Sequence, residues 1–263
     1  MAKAIAPEKT KQTKPVSIKK KQASVFPLTA ASFITALKKL QSDEELRKIQ
    51  RYFKSAEGEY GHGDQFMGVK MGNLFALAKQ YAGMPIKELE KLLESPVHEI
   101  RAGAVSIMDK ESRTKTITSE RLKDFFELYM RRHDRINNWD LVDLGCLYMT
   151  GSYLSGKPKK ILYKLGVSKN LFERRTAILS TCYFIRKGEL DDTFAIAELL
   201  VKDKEDLVHK ATGWMLRFAG AKDKKRLQAF LDKHAVTMPR TLLRYSIEHF
   251  SPKERERYMK MGK

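Results

Sequence analysis

The chain has 263 residues, enough for one large domain, two small ones or a repeat array. Its 51 Lys and Arg against 32 Asp and Glu leave a net charge of +19, which points to a polyanionic partner, nucleic acid ahead of an anionic membrane. There is no apolar run of the roughly 18 residues needed to span a membrane. No HxxxH or CxxC spacing gathers a zinc site, and no GxxxxGK[ST] or GxGxxG marks a nucleotide enzyme, so neither metal nor cofactor is expected.

Residues 1–24 carry seven Lys and one Glu, a charge of +6, and the other +13 belongs to the rest of the chain. With Pro7 and Pro15 and no apolar periodicity, residues 1–25 read as a disordered Lys-rich tail ahead of a single domain over 26–263. Residues 29–55 read as two helices, the second opened by a Ser42/Glu45 capping box. The Gly-rich stretch 56–68 suits a connector at least as well as a phosphate loop, because no GK[ST] follows it. Helical patterns then follow at about 72–82, 85–94, 96–109, 118–132, 137–154, 158–166, 170–187, 190–202, 205–219, 223–234, 239–249 and 252–260, with nothing alternating cleanly enough for strands. Cys146 and Cys182 lie in apolar runs. Two buried thiols without a secretory signal fit a reducing, cytoplasmic setting.

The helices repeat. Arg101, Trp139, Arg175 and Lys210 each fall near a helix start and are separated by 38, 36 and 35 residues. A period in the high thirties built from helix pairs predicts an all-α fold, a HEAT-like α-solenoid, with these residues along one basic concave face suited to a duplex. Trp214 lies four residues after Lys210, as Asp143 lies four after Trp139. On a helix that spacing places both side chains on one face.

Two readings of Trp139–Asp143 stand at this point. The pair is either a core indole beside an acid that caps or pairs with an arginine, or a site on a basic ridge. An acid on such a ridge repels phosphate and is useful where positive charge develops, as in the oxocarbenium ion left when a glycosidic bond breaks. No second carboxylic acid is evident beside it. That absence is tolerable if the departing base is already cationic, as an N3- or N7-alkylated purine is.

Four segments carry a resemblance: INNWDLVD (136–143), LFERRTAIL (171–179) with YFIRKGELDDT (183–193), LVHKATGWMLR (207–217) and MPRTLLRY (238–245). They resemble the AlkD-type DNA alkylation repair glycosylases, HEAT-like repeat proteins, over roughly residues 45–250. The resemblance implies excision of cationic N3- and N7-alkylpurines from duplex DNA by a monomer, in the cytoplasm or at a bacterial nucleoid. It implies catalytic roles for Asp143, Trp139, Trp214 and Arg175, with the indoles packing on deoxyribose and no pocket for a flipped base. Phosphate contacts are expected of Arg217 and Lys210, of Arg174 beside Arg175, of Arg101, and of Arg240 and Arg244 on one helix face. Lys70 closes the segment Phe66–Lys70, where the family meets the DNA backbone; here Met71 and Gly72 replace a polar cap. The alternative function is a catalytically inactive HEAT-like module that binds DNA or a protein.

Overall fold

A computed structural model describes residues 26–54 and 57–261. The Lys-rich tail lies outside the described residues. The helices are α1 (Ala30–Lys38), α2 (Asp43–Tyr52), α3 (Met71–Gln80), α4 (Ile86–Leu93), α5 (His98–Ser112), α6 (Ser119–Arg131), α7 (Trp139–Gly145), α8 (Gly151–Leu154), α9 (Lys160–Gly166), α10 (Leu171–Arg186), α11 (Asp191–Leu200), α12 (Asp206–Lys222), α13 (Lys224–His234), α14 (Arg240–Ser246) and α15 (Pro252–Lys260). The helix expected over 137–154 is continuous, but a π-helical stretch, Cys146–Thr150, joins α7 to α8. Among the described residues no strand forms.

Polar side chains set the helix starts. Thr29, Thr118, Asn170 and Asp223 accept backbone N–H groups of the first turns of α1, α6, α10 and α13. The Ser42/Glu45 box forms only in half. Ser42 Oγ accepts the Glu45 N–H at 3.4 Å, but the Ser42 N–H goes to Gly68 O at 2.9 Å instead of to the glutamate. The reciprocal box is at Ser251 and Glu254, where α15 begins.

The helices stack as an α-solenoid in two layers. Helices α3, α5, α7, α10, α12 and α14 lie side by side in one layer, and α4, α6, α9, α11, α13 and α15 back them. A continuous apolar core runs between the layers from Phe33 to Tyr258. Each helix pair buries its apolar face only against its neighbours, which is how a repeat array is stabilised.

The loop after α2 folds back on this frame. The Glu99 carboxylate, 1% exposed, accepts the backbone N–H groups of Met67, Gly68 and Val69 at 2.9–3.3 Å. Gly68 has φ +78°, and a Cβ there would lie 2.5 Å from Ser42 O, so only glycine fits. The amides of Met67, Gly68 and Val69 are therefore spent on Glu99 and are not offered to phosphate. Lys70, at the start of α3, is exposed and caps nothing.

Three expected DNA contacts are corrected here. Arg101 is 1% exposed; its guanidinium holds Ser95 O and Pro96 O at 2.9 and 3.0 Å, Asn137 Oδ1 at 3.0 Å and Asp64 Oδ1 at 2.5 Å. Arg174 does the same two repeat units on, donating to Ser168 O and Lys169 O and pairing with Asp203. Both are the fourth residue of their helix, as is His209 of α12, whose Nε2 meets Asp203 O at 2.6 Å. This position turns back onto the loop before the helix and ties it down. Arg240 donates to Met259 O, in the last turn of α15, and to Met261 O just past its end.

Removing one partner of a buried ion pair costs about 3–5 kcal/mol. Arg101→Met is expected to lower the unfolding free energy by about that much in urea denaturation. The salt dependence of duplex binding should stay as in the parent; a slope smaller by about one would return Arg101 to the DNA face.

Candidate functional site

The first turn of α7 is fixed from below by Asp64. Its carboxylate takes Asn137 Nδ2 at 2.9 Å and Asn138 Nδ2 at 3.2 Å, besides Arg101. Asn138 then caps the helix, accepting the Trp139 N–H at 2.8 Å. His98 lies between Asp64, at 3.5 Å, and Asp140, at 2.7 Å. Burial pulls the His98 imidazole down, but the two carboxylates outweigh it and push it up to about 9. Burial likewise works against ionised Asp64, but His98, Arg101 and Asn137 hold it down at about 2.

On this base Trp139 stands half-buried, with its ring stacked on Phe53 at 5.8 Å and edge-on to Tyr52 at 5.8 Å. One turn on, Asp143 meets Arg175 in a two-pronged pair: Nη2 donates to Oδ1 at 2.7 Å and to Oδ2 at 3.0 Å, and Nε donates to Oδ1 at 3.0 Å. Arg175 Nη1 is anchored on Leu207 O. The guanidinium side chain is 6% exposed and the carboxylate 19%, so the acid is the member that reaches the surface. Burial pushes the Asp143 carboxyl up to about 6 against the pull of Arg175, with the charge of Asp140 adding to the rise.

Asp143, Trp139, Arg175, Lys210 and Trp214 line one cleft of about 510 Å³. The structure thus brings together all four expected catalytic residues and one expected cation. Arg217 is paired with Glu248 in a separate recess beside Lys224 and His249. Arg244 is exposed on α14.

Several lining residues had no sequence signal: Tyr52, Lys54 and Tyr60 from the α2 end and its loop, Tyr245 from α14, and the acids Glu205 and Asp206 at the start of α12. Asp206 is paired with Lys210 at 2.7 Å. A second cleft of about 620 Å³ opens on the other side of Trp139, Asp143 and Tyr52. Ile49, Phe53, Met71, Phe75, Leu144 and Leu147 make it apolar. This cleft escapes a sequence reading because α2, α3 and α7 each supply only part of it.

The repeat register also differs from the expected one. Asp143, Arg175, Lys210 and Arg244 are each the fifth residue of α7, α10, α12 and α14; the α5 equivalent is Ala102, not Arg101.

The α-solenoid thus gathers an acid, two indoles and two lysines, Lys54 and Lys210, in one cleft. The family model described as DNA alkylation repair enzyme matches residues 33–250, and the chain belongs to that family. Among solved structures, one described as a predicted DNA alkylation repair enzyme from Enterococcus faecalis is similar in fold, with a TM-score of 0.62 at 17% identity, over 81% of this chain and 97% of that one. No curated relative matches the sequence. Among the described residues no helix is long and apolar enough to cross a membrane, and no His, Cys, Asp or Glu cluster is arranged to hold a metal.

A carbon-13 titration of the Asp143 carboxyl should give a midpoint near 6. Arg175 lowers that value, so Arg175→Met should raise the midpoint; no movement would mean that the pair does not hold the acid in its charged form.

Proposed function

We propose that residues 26–263 act as one repeat domain, a monomeric and metal-free DNA glycosylase that releases cationic N3- and N7-alkylpurines from duplex DNA in the cytoplasm or nucleoid. The observation that carries this reading is Asp143: a carboxylate in a chain of net charge +19, oriented by Arg175 and flanked by two half-buried indoles in one cleft.

The lesion base carries its positive charge before the reaction. When the C1′–N bond breaks, the bonding pair leaves with the base, which becomes neutral without needing an acid. The charge passes to the deoxyribose as an oxocarbenium ion. Asp143, ionised at neutral pH, stabilises that cation and orients a water on C1′. The water adds, its proton passes to solvent through the carboxylate, and an abasic sugar and a free base remain. Trp139 and Trp214 offer apolar faces to the sugar. Arg175 orients Asp143. Lys54 and Lys210 take phosphates beside the reacting sugar; Lys70 and Arg244, both exposed, take phosphates further away, and Arg217 does so only on leaving Glu248.

Release of N7-methylguanine from methylated duplex tests this directly. The parent is expected to release the base, and Asp143→Asn to lose at least about a hundredfold in rate. Release should also fall as pH drops through about 6, because protonation removes the charge that the transition state needs. Lys54→Ala and Lys210→Ala should each flatten the salt dependence of binding by about one in slope. Duplex binding without release, unchanged or tighter in Asp143→Asn, would leave a catalytically silent DNA-binding solenoid.

A further inference from the structure

We propose that Tyr129, acting with Thr176, is a positioning residue: its buried hydroxyl joins the end of α7 to α10 and so sets how Arg175 grips Asp143. The role in release rests on the glycosylase reading above; the effect on the Asp143 carboxyl does not. Neither Tyr129 nor Thr176 lines either cleft, and four observations argue for their part in the site.

The first is a chain of polar atoms inside the core. Tyr129 of α6, Thr176 of α10, Cys146 and His133 are all buried. The Tyr129 hydroxyl lies 3.1 Å from Thr176 Oγ1 and 3.3 Å from Cys146 Sγ. His133 Nε2, in the turn after α6, lies 2.8 Å from the same Thr176 Oγ1. Apolar side chains of the same shape would stabilise this core about as well. What the hydrogen bonds add is direction, because they are all satisfied only when α6, α7 and α10 stand in one arrangement.

The second is where the chain ends. Thr176 follows Arg175 in α10, and Cys146 lies three residues after Asp143. The phenol thus fixes the backbone beside each member of the ion pair. A Cβ at Gly145 would lie 2.3 Å from Tyr129 Cε2, so the ring rests directly on the last turn of α7. The first turn of α7 is held by Asp64 through Asn137 and Asn138. Asp143 lies between the two holds.

The third is a break in the repeat. The sixth residues of α5, α10 and α12 are Gly103, Thr176 and Ala211, so of these three helices only the one that carries Arg175 has a hydroxyl there. Cys146 also opens the π-helical stretch, where Thr150 Oγ1 donates to Gly145 O at 3.0 Å and Cys146 O at 3.3 Å. Such a stretch is frequent at functional sites.

The fourth is electrostatic reach. Burial pushes the Tyr129 phenol and the Cys146 thiol up, and the charge of Asp143 adds to the rise in both. Two neutral groups therefore sit within the field of the carboxylate. The charges that face Asp143 are Arg175 from α10 and Asp140 from its own helix, with Lys210 and Asp206 of α12 on the same cleft wall. Of these, Arg175 is the one whose grip the chain controls.

Two measurements test the role. They use Tyr129→Phe and Thr176→Val, which remove a hydroxyl with little other change, and Thr176→Ser, which keeps it. The first is the carbon-13 titration of the Asp143 carboxyl. Its midpoint, about 6 in the parent, should rise in Tyr129→Phe and Thr176→Val, in the direction of Arg175→Met but by less, and should stay in Thr176→Ser. The second is single-turnover release of N7-methylguanine across pH. In the two hydroxyl-free variants the acid limb should move to higher pH together with the carboxyl. The rate above that limb should fall about tenfold, within the roughly hundredfold that a misplaced group can cost. Binding of undamaged duplex should match the parent in all three.

Parental midpoints and rates in folded Tyr129→Phe and Thr176→Val would overturn the role, whatever happens to their melting temperatures. So would equal shifts in Thr176→Ser and Thr176→Val, since shape and not the hydroxyl would then act. No release by the parent would overturn the glycosylase reading, while the carboxyl midpoints would still decide whether Tyr129 positions Asp143. If one hydroxyl-free variant fails to fold by circular dichroism, the other decides; failure of both would make the chain a stabilising one and overturn the role.

Discussion

A single buried carboxylate holds the candidate site together. Asp64 sits in the loop between α2 and α3, far in sequence from α7, yet it binds both asparagines ahead of Trp139 and the guanidinium of Arg101. Through His98 it also reaches Asp140, in the first turn of α7. Each partner compensates the cost of burying the others. The consequence is geometric: the start of α7 cannot roll without breaking several charged hydrogen bonds at once. Trp139 and Asp143 are placed by that constraint, and α10 then completes the site by bringing Arg175 to Asp143.

Asp64 and Asp143 are the same side chain set to different ends. Burial acts on both in the same direction. Asp64 has three strong partners and is held near 2, a permanent anion that anchors. Asp143 has one partner and a like charge nearby, and burial prevails, leaving it near 6. An anion stabilised that weakly has interaction left to give to a cation that appears in front of it. An acid already saturated with partners, like Asp64, has little to offer a transition state. On the proposed reaction the two carboxylates thus divide support and chemistry between them.

The helices were legible because each is a local pattern of caps and apolar spacing. The site motif was legible because Trp139 and Asp143 share a helix face and these are uncommon neighbours in a basic chain. The failures have one cause. Arg101, Arg174 and Arg240 look like ridge cations in sequence, but an arginine near a helix start reaches either outward to solvent or back to carbonyls, those of the preceding loop for Arg101 and Arg174 and those at the end of α15 for Arg240. The choice depends on one position of register, about 100° of helix rotation. Counting spacings between Arg101, Trp139, Arg175 and Lys210 mixed the fourth, first and fifth positions of different helices. The capping box at Ser42 failed for a related reason, since Gly68 O competes for the same N–H from a distant segment. The tyrosines and acids of the cleft come from loops and helix ends, where no periodicity announces which side they face.

Register also explains how such a fold acquires chemistry. A solenoid repeats its backbone, so equivalent positions project along one line and a change at one of them leaves the stacking of the rest untouched. At the fourth position of α5, α10 and α12 one task recurs, with Arg101, Arg174 and His209 each holding the preceding loop. At the fifth position the residue varies freely, from Phe75 and Ala102 to Asp143, Arg175, Lys210 and Arg244. In these three helices the fourth position is committed to stability because its side chain turns inward to the loop. The fifth is less constrained: Ala102 is buried, Asp143 opens to the cleft and Arg244 is exposed. An acid there is tolerable for a DNA-directed protein only because the next repeat places Arg175 against it. The neighbouring register supplies the compensation, and the acid keeps one side open to the cleft.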